Sequence, residues 1–329
     1  MDKVARFSAA QRRELFSEAA ARLDMTPAVV EKDFWVTWVL DRLFATPELA
    51  RLLMFKGGTS LSKVYGLIER FSEDIDLILD WRVLGGDDPL AERSRTRQAE
   101  LNEAINREAQ AYIAGPLLAS LVAALAGICE CRIGEDDPHV IEVRYPAAFG
   151  DIYLRPEVRL EIGPLAAWLP HEEGRISAYA AQAFPELFTK RETTVRTIRA
   201  ERTFWEKATI LHQEAHRPED SPQPARYSRH YYDLARMTAS PVKAAALADR
   251  ELLASVVEFK QRFYPRSWAR YDLAVPGNLR LLPGEHVLAA VGADYRAMSD
   301  MIFGQIPDFS DIVTQLRALE NEINGSGHA

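Results

Sequence analysis

Residue types able to do chemistry gather at two points early in the chain. Phe55-Lys56-Gly57-Gly58-Thr59-Ser60 is a tight glycine turn after an apolar run, Leu52, Leu53, Met54 and Phe55. Fourteen residues after Ser60 comes Asp74-Ile75-Asp76, inside Arg70-Phe71-Ser72-Glu73-Asp74-Ile75-Asp76-Leu77-Ile78-Leu79. Glycines let a backbone come close to a phosphate, and a helix N-terminus beside them offers free N–H groups to an anion. The second segment reads as a strand, in which positions i and i+2 share a face. Asp74 and Asp76 therefore converge, while Ile75, Leu77 and Leu79 turn to a core. Two adjacent carboxylates repel unless a cation lies between them, and a divalent pair about 3.5–4 Å apart is the usual solution in phosphoryl and nucleotidyl transfer. The combination asks for a nucleoside triphosphate with two Mg²⁺ ions, or Mn²⁺ in their place.

Other residues compete for roles around this centre. In Val158-Arg159-Leu160-Glu161-Ile162 the apolar residues alternate with Arg159 and Glu161. Glu161 is either a third metal ligand from a strand beside Asp76, or a solvated or Arg159-paired carboxylate. Thr203-Phe204-Trp205-Glu206 fits a capping box, which makes Thr203 an N-cap and puts Lys207 near the first helical turn. A cation there opposes the helix dipole unless an anion binds beside it. Lys207 thus neutralises a triphosphate or is a snorkelling surface lysine. His212 and His216 stand at i and i+4, but Gln213 occupies the position where a zinc protease needs Glu, so zinc is rejected. No lysine follows a glycine at Walker-A spacing. Ser72 joins the metal-facing side if the strand reaches that far. A phosphate added there would bring a charge of roughly −1.5 to −2 against the carboxylates and silence the site.

The elements that must position these groups follow from periodicity. Helices are expected over 8–23, 27–45 and 59–69, and over 90–127 with a break at Gly115-Pro116. Strands are expected over 51–56, 74–80, 128–133, 140–145 and 157–162. Beyond about residue 166 the pattern is mostly helical, with a proline-rich mobile loop at 217–227 and a frayed tail at 324–329. The fold class is α+β: a mixed sheet flanked by helices, with a mostly helical C-terminal part. The expected division is 1–48 as N-terminal helices on the core, 49–165 as the core domain, and 166–329 as the helical domain carrying Lys207 and Asp233.

At 329 residues the chain is long enough for a sizeable core. It has no apolar run of transmembrane length and no signal-peptide core at its start, and Cys129 and Cys131 are its only cysteines. These features point to a reducing cytoplasm and no membrane. The net charge of −8 argues against broad nucleic-acid binding. One strip runs the other way: Lys190, Arg191, Arg196, Arg199, Arg202 and Lys207 lie within eighteen residues. It reads as a solvated face or as a cradle for an RNA end.

Four motifs carry a family resemblance: the glycine turn, Arg70–Asp76, Thr203-Phe204-Trp205-Glu206-Lys207-Ala208 with Leu211-His212, and Arg229-His230-Tyr231-Tyr232-Asp233. Glu31-Lys32-Asp33-Phe34-Trp35 adds to them. Together they resemble the AbiEii/AbiGii-type toxin nucleotidyltransferases, a group that includes the MenT toxins and belongs to the polymerase-β-like superfamily. The resemblance implies a toxin of a toxin–antitoxin or phage-defence pair that adds nucleotides from NTP to the 3′ end of tRNA and so blocks translation. It implies Asp74, Asp76 and Glu161 around the metals, Lys207 and Asp233 as catalytic groups, and Lys56, Gly57, Gly58, Thr59, Ser60, Arg70 and Ser72 on the nucleotide. Its partners would be tRNA, NTP and a cognate antitoxin. Asp233 also reads as an ion-pair partner of Arg229, or as a support for Lys207 or another arginine. The alternatives are transfer to a protein acceptor and an inactive NTP-binding module.

Overall fold

The computed structural model describes residues 1–72, 74–150 and 155–325. Glu73 and residues 326–329 of the expected tail lie outside the described residues. The chain divides into two compact units, residues 1–64 with 71–198, and residues 65–70 with 199–329.

The first unit contains α1 (Asp2–Ala5), α2 (Ala9–Leu23), α3 (Pro27–Ala45), α4 (Pro47–Leu52), β1 (Leu53–Lys56), α5 (Gly57–Lys63), β2 (Asp74–Leu79), α6 (Arg95–Tyr112), α7 (Leu118–Ala124), β3 (Glu130–Ile133), β4 (Val140–Arg144), β5 (Glu157–Gly163), β6 (His171–Ser177), α8 (Tyr179–Ala183) and β7 (Glu192–Ile198). The strands form one seven-stranded sheet in the order β3-β4-β5-β2-β1-β7-β6. The sheet is mixed, with β2 parallel to β5 and β1 parallel to β7, and the other pairs antiparallel. One face packs on the helices through Leu53 and Phe55 of β1, Ile75, Leu77 and Leu79 of β2, and Val158, Leu160 and Ile162 of β5.

Local sequence explains the helix ends near the site. Ser8 and Gln11 form a reciprocal capping box at the start of α2. Thr26 caps α3, with Pro27 at its first position, where a missing N–H costs nothing. Between α6 and α7 the chain makes a wide turn, Ile113–Leu117, around Pro116, whose absent N–H breaks the regular ladder. Two expectations are corrected. The helix after the glycine turn ends at Lys63 instead of 69, and residues 65–70 belong to the second unit. The stretch after 166 contributes two strands, β6 and β7, before it becomes helical.

Helix α3 is buried almost all round, through Phe34, Trp35, Trp38 and Leu40, and it carries three consecutive buried charges. Each fastens a different segment. Glu31 accepts from the backbone N–H groups of Ala148 and Phe149 at 2.8 and 3.0 Å. The Lys32 ammonium donates to the carbonyls of Arg155, at 3.0 Å, and Glu157, just before and at the start of β5. Asp33 pairs with Lys63 at the end of α5, at 2.5 Å, and accepts from the Tyr179 N–H at 2.7 Å. Burial pushes the carboxyls of Glu31 and Asp33 above their ordinary range. These bonds hold the two elements that flank β2 in the chain or in the sheet, α5 and β5.

The second unit contains α9 (Ala200–Ala215), α10 (Ser228–Thr238), α11 (Pro241–Ala248), α12 (Arg250–Phe263), α13 (Glu285–Met298) and α14 (Phe309–Gly325). Phe204, Trp205, Leu211, Tyr231, Tyr232, Leu253, Tyr295 and Leu316 are among its buried side chains. Among the described residues no helix is long and apolar enough to cross a membrane. His212 of α9 is wholly buried, with both ring nitrogens bonded: Nδ1 accepts from the Arg280 N–H at 3.0 Å and Nε2 lies 2.9 Å from the Arg270 carbonyl. Nε2 therefore carries the proton and the ring is neutral, a packing role on the helix that bears Lys207.

That arrangement makes stability pH-dependent. Burial lowers the His212 pKa to about 4, below the unfolded value. Its contribution is fully present above the ordinary histidine pKa of about 6.5. It is lost as pH falls toward 4, because the unfolded state takes up the proton first. The urea midpoint should decline between those pH values and the decline should flatten in His212→Gln. An equal slope in the variant would assign the acid sensitivity elsewhere.

Candidate active site

Strand β2 turns Ile75, Leu77 and Leu79 into the core, which leaves Asp74 and Asp76 together on the opposite face. Register completes that face. Asp76 stands opposite Lys56 of β1 on one side and Glu161 of β5 on the other. Lys56, Asp76 and Glu161 therefore form one transverse row, at strand spacings of about 4.8 Å. Asp74 begins a second row with Arg159, Glu142 and Arg132. In that row Glu142 accepts from Arg159 at 3.1 Å and from Arg132 at 2.8 Å. The partner of Arg159 is thus Glu142 of β4, which spacing along β5 alone does not reveal. Among the described residues, no three His, Cys, Asp or Glu side chains form a group able to hold a metal ion as they stand. Beyond the aspartates the face continues with a small apolar group, Met54, Ile78 and Ile198, packed against Ala166 and Trp168.

The glycine turn fits against this face through Gly57. Its φ is +80°, and a Cβ there would sit 1.8 Å from Asp76 Oδ2. Only glycine allows the Asp76 carboxylate to lie so close over the turn. The hydroxyls expected on the nucleotide are directed elsewhere. Ser60 donates to the Gly57 carbonyl at 2.8 Å, and Thr59 reaches the carbonyls of Asp74 and, at 3.3 Å, Ser72. Thr59 thereby ties α5 to the start of β2. The strand begins at Asp74, so the alternation that would turn Ser72 toward the carboxylates does not extend to it.

The remaining site residues meet in the second unit. Asp233 of α10 is fully buried and accepts two bonds from Arg70, Nε to Oδ1 at 2.6 Å and Nη2 to Oδ2 at 2.8 Å. Lys207 of α9 reaches Asp233 Oδ2 at 2.7 Å. Burial alone would push the Asp233 carboxyl up, but the charges of Arg70 and Lys207 hold it far below its ordinary range. Burial lowers the Lys207 pKa; Asp233 favours its charge, and Arg70 and Arg229 oppose it. Arg70 is anchored as well by an isolated bridge to Ile302, and its neighbour Glu69 accepts from the Phe303 N–H at 2.8 Å.

Several expectations change here. The capping box fails: Arg199 is the N-cap of α9, and Thr203 lies inside the helix. Lys207 is then in the third turn, beyond the reach of the dipole's positive end. The snorkelling alternative fails too, because Lys207 is 7 % exposed and ion-paired. Asp233 pairs with Arg70 and Lys207, not with Arg229. The basic strip divides: Lys190 and Arg191 are exposed, whereas Arg202 and Lys207 are buried. Lys190 pairs with Asp41, Arg196 bonds three carbonyls around α4 and lies over Trp168, and Arg202 is buried against Glu206 and Phe259. His230, to which the sequence motifs assign no role, has its Nδ1 3.2 Å from Lys207 Nζ. Its i, i+3 spacing to Asp233 on one helix was the available signal.

The first unit thus presents a carboxylate pair on a sheet face beside a glycine turn, and the second unit holds a buried lysine paired with a buried aspartate. A profile of the family described as nucleotidyl transferase AbiEii toxin, type IV toxin–antitoxin system, matches residues 38–315. The chain belongs to that family of nucleotidyltransferase toxins. Among solved structures, the nucleotidyltransferase toxin MenT4 from Mycobacterium tuberculosis matches at 18 % identity, over 97 % of this chain and 98 % of that one, with a TM-score of 0.44. A comparison with curated proteins returned no match.

Two variants test the geometry. Gly57→Ala should displace the Asp76 carboxylate and cost roughly 1–3 kcal/mol in urea unfolding, the strain of a side chain at positive φ. Wild-type stability and activity together would mean that the close approach is not maintained. Asp233→Ala strands two cations without their buried anion, and should cost about 3–5 kcal/mol by the same measurement.

Proposed function

We propose that this toxin transfers nucleotides from an NTP to the 3′ acceptor end of tRNA in the cytoplasm, in a reaction that depends on divalent metal, and that a cognate antitoxin restrains it. The observation that carries the reading is the row on the sheet: two aspartates on one strand face, with Glu161 in register with the second. The donor set suits the ion. Carboxylate oxygens are hard ligands of the kind Mg²⁺ prefers, and Gly57, lacking a Cβ, lets the Asp76 carboxylate lie against the glycine turn. Asp74 and Asp76 would hold the metal, and Glu161 would join them by turning its side chain toward Asp76. When bound, the metal would neutralise triphosphate charge and acidify the attacking hydroxyl.

The chain's own residues supply the rest. The Lys56–Ser60 turn would lie along the triphosphate, contributing the Lys56 charge and backbone N–H groups. Lys207, held by Asp233, would place a compact positive charge on the phosphates as negative charge builds toward the leaving pyrophosphate. Arg70 would act through Asp233. Its guanidinium is committed to that carboxylate, which supports a role in fixing the aspartate over direct contact with the nucleotide. A carboxylate of the sheet face would take the proton of the attacking 3′ hydroxyl.

Incubation with total tRNA, Mg²⁺ and each labelled NTP, followed by sequencing of the 3′ ends, tests this directly. Extended 3′ ends support the reading, and label appearing only in protein would overturn the choice of acceptor. Asp74→Ala and Asp76→Ala should each lower labelling by at least about a thousandfold, the scale of removing a group that acts only in the transition state. Their urea unfolding should change little, because crowded carboxylates repel one another when no metal is present. Near-normal labelling by either variant would remove the metal-site assignment.

A further inference from the structure

His230 stands in the first turn of α10, three residues before Asp233, and its ring lies edge-on to Tyr227 at 5.0 Å. Its Nδ1 is 3.2 Å from the Lys207 ammonium, which can only donate. Nδ1 therefore accepts, and the ring is the neutral Nε2–H tautomer. The charged groups facing the pair are Lys207 of α9, Arg229 and Asp233 of α10, and Arg70 of the segment before β2. Burial, then Lys207 and Arg229, keep the imidazole uncharged, in agreement with that geometry.

A lysine ammonium turns freely about its last bond and has three protons. One goes to Asp233 Oδ2 at 2.7 Å and one to His230 Nδ1. Two fixed bonds set the rotation, so the third proton has a single direction. We propose that His230 is the positioning residue of Lys207: by accepting from its ammonium, it aims the remaining N–H at the phosphate of the bound nucleotide. This rests on the assignment of Lys207 to the triphosphate. Asp233 supplies counter-charge, and His230 supplies direction without adding a second carboxylate that would neutralise the lysine. Preorganised donors of this kind need no rearrangement at the moment of reaction.

The test compares His230→Asn, whose amide oxygen can replace the acceptor, with His230→Phe, which keeps a ring against Tyr227 but accepts nothing. The first readout is the titration of Lys207 followed at its ¹³Cε, assigned by its loss in Lys207→Met. An acceptor favours the charged form, so His230→Phe should lower the midpoint by about one pH unit or more, and His230→Asn should restore most of it. The second readout is labelling of total tRNA. His230→Phe should lose roughly 10- to 100-fold in kcat, the scale of a hydrogen bond to a charged group, with KM for NTP nearly unchanged. His230→Asn should recover most of that loss. An unchanged or raised Lys207 midpoint in His230→Phe overturns the proposal. If that variant does not fold, ¹⁵N spectra of the wild-type ring decide: the neutral Nε2–H form supports the assignment, and an Nδ1–H or doubly protonated ring refutes it. Lys207→Met separates the two levels. If it retains labelling, the reading of Lys207 itself falls. If it loses labelling while His230→Phe matches wild type, only the role of His230 falls.

Discussion

Ile75, Leu77 and Leu79 are each fully buried, and a strand alternates its side chains with a period of two. Those two facts leave Asp74 and Asp76 only the other face of β2. The constraint on the first unit is therefore a strand that is apolar on one side and doubly anionic on the other, in the middle of a seven-stranded sheet. A slip of one residue in its pairing would bury both carboxylates and expose the core residues. The pairings with β1 and β5 resist that slip, because Phe55, Leu160 and Ile162 are buried on the same side as Leu77. Burial of the core face thus fixes the position of Lys56 and Glu161 beside Asp76.

Buried charges do the remaining alignment, and each is bonded. Burying a lone charge is expensive, so the charges on α3 are retained only with full sets of partners. Asp33 holds the far end of α5 through Lys63 and the start of α8 through Tyr179, and Lys32 holds the chain into β5. The same logic recurs in the second unit, where one buried carboxylate, Asp233, organises Arg70 and Lys207. A hydrophobic replacement could fill either volume but could not specify direction in this way.

The sheet face was legible because it rests on local alternation. The Asp-x-Asp strand, the glycine turn and the cap of α3 all follow from spacing within a few residues. Other features depend on partners distant in sequence. Strand β6 reads His171-Glu172-Glu173-Gly174-Arg175-Ile176-Ser177, a polar edge strand in which only Ile176 is buried. It has no apolar period to detect, because an edge strand with one solvated face needs little. Strand β7 did carry a signal, since Thr193, Val195 and Thr197 alternate toward the interior, but the basic residues around them drew the reading to charge. The Thr203–Glu206 pattern matched a capping box by composition alone. The helix starts earlier because Ala200 and Arg202 are themselves buried, and tertiary packing overrides a local cap.

The fate of the basic strip follows from the same distinction. Lys190, Arg196, Arg202 and Lys207 are close in sequence, yet each finds a different intramolecular partner. Sequence proximity suggested one electrostatic surface, whereas folding distributes these cations among separate structural bonds. An overall charge of −8 then opposes nonspecific attraction to a polyanion. On the proposed reading, the phosphates of the substrate are met by groups whose direction is fixed, more than by an accumulation of positive charge. A buried lysine restrained at two of its three protons is a group of that kind, because its contribution depends on orientation instead of long-range field.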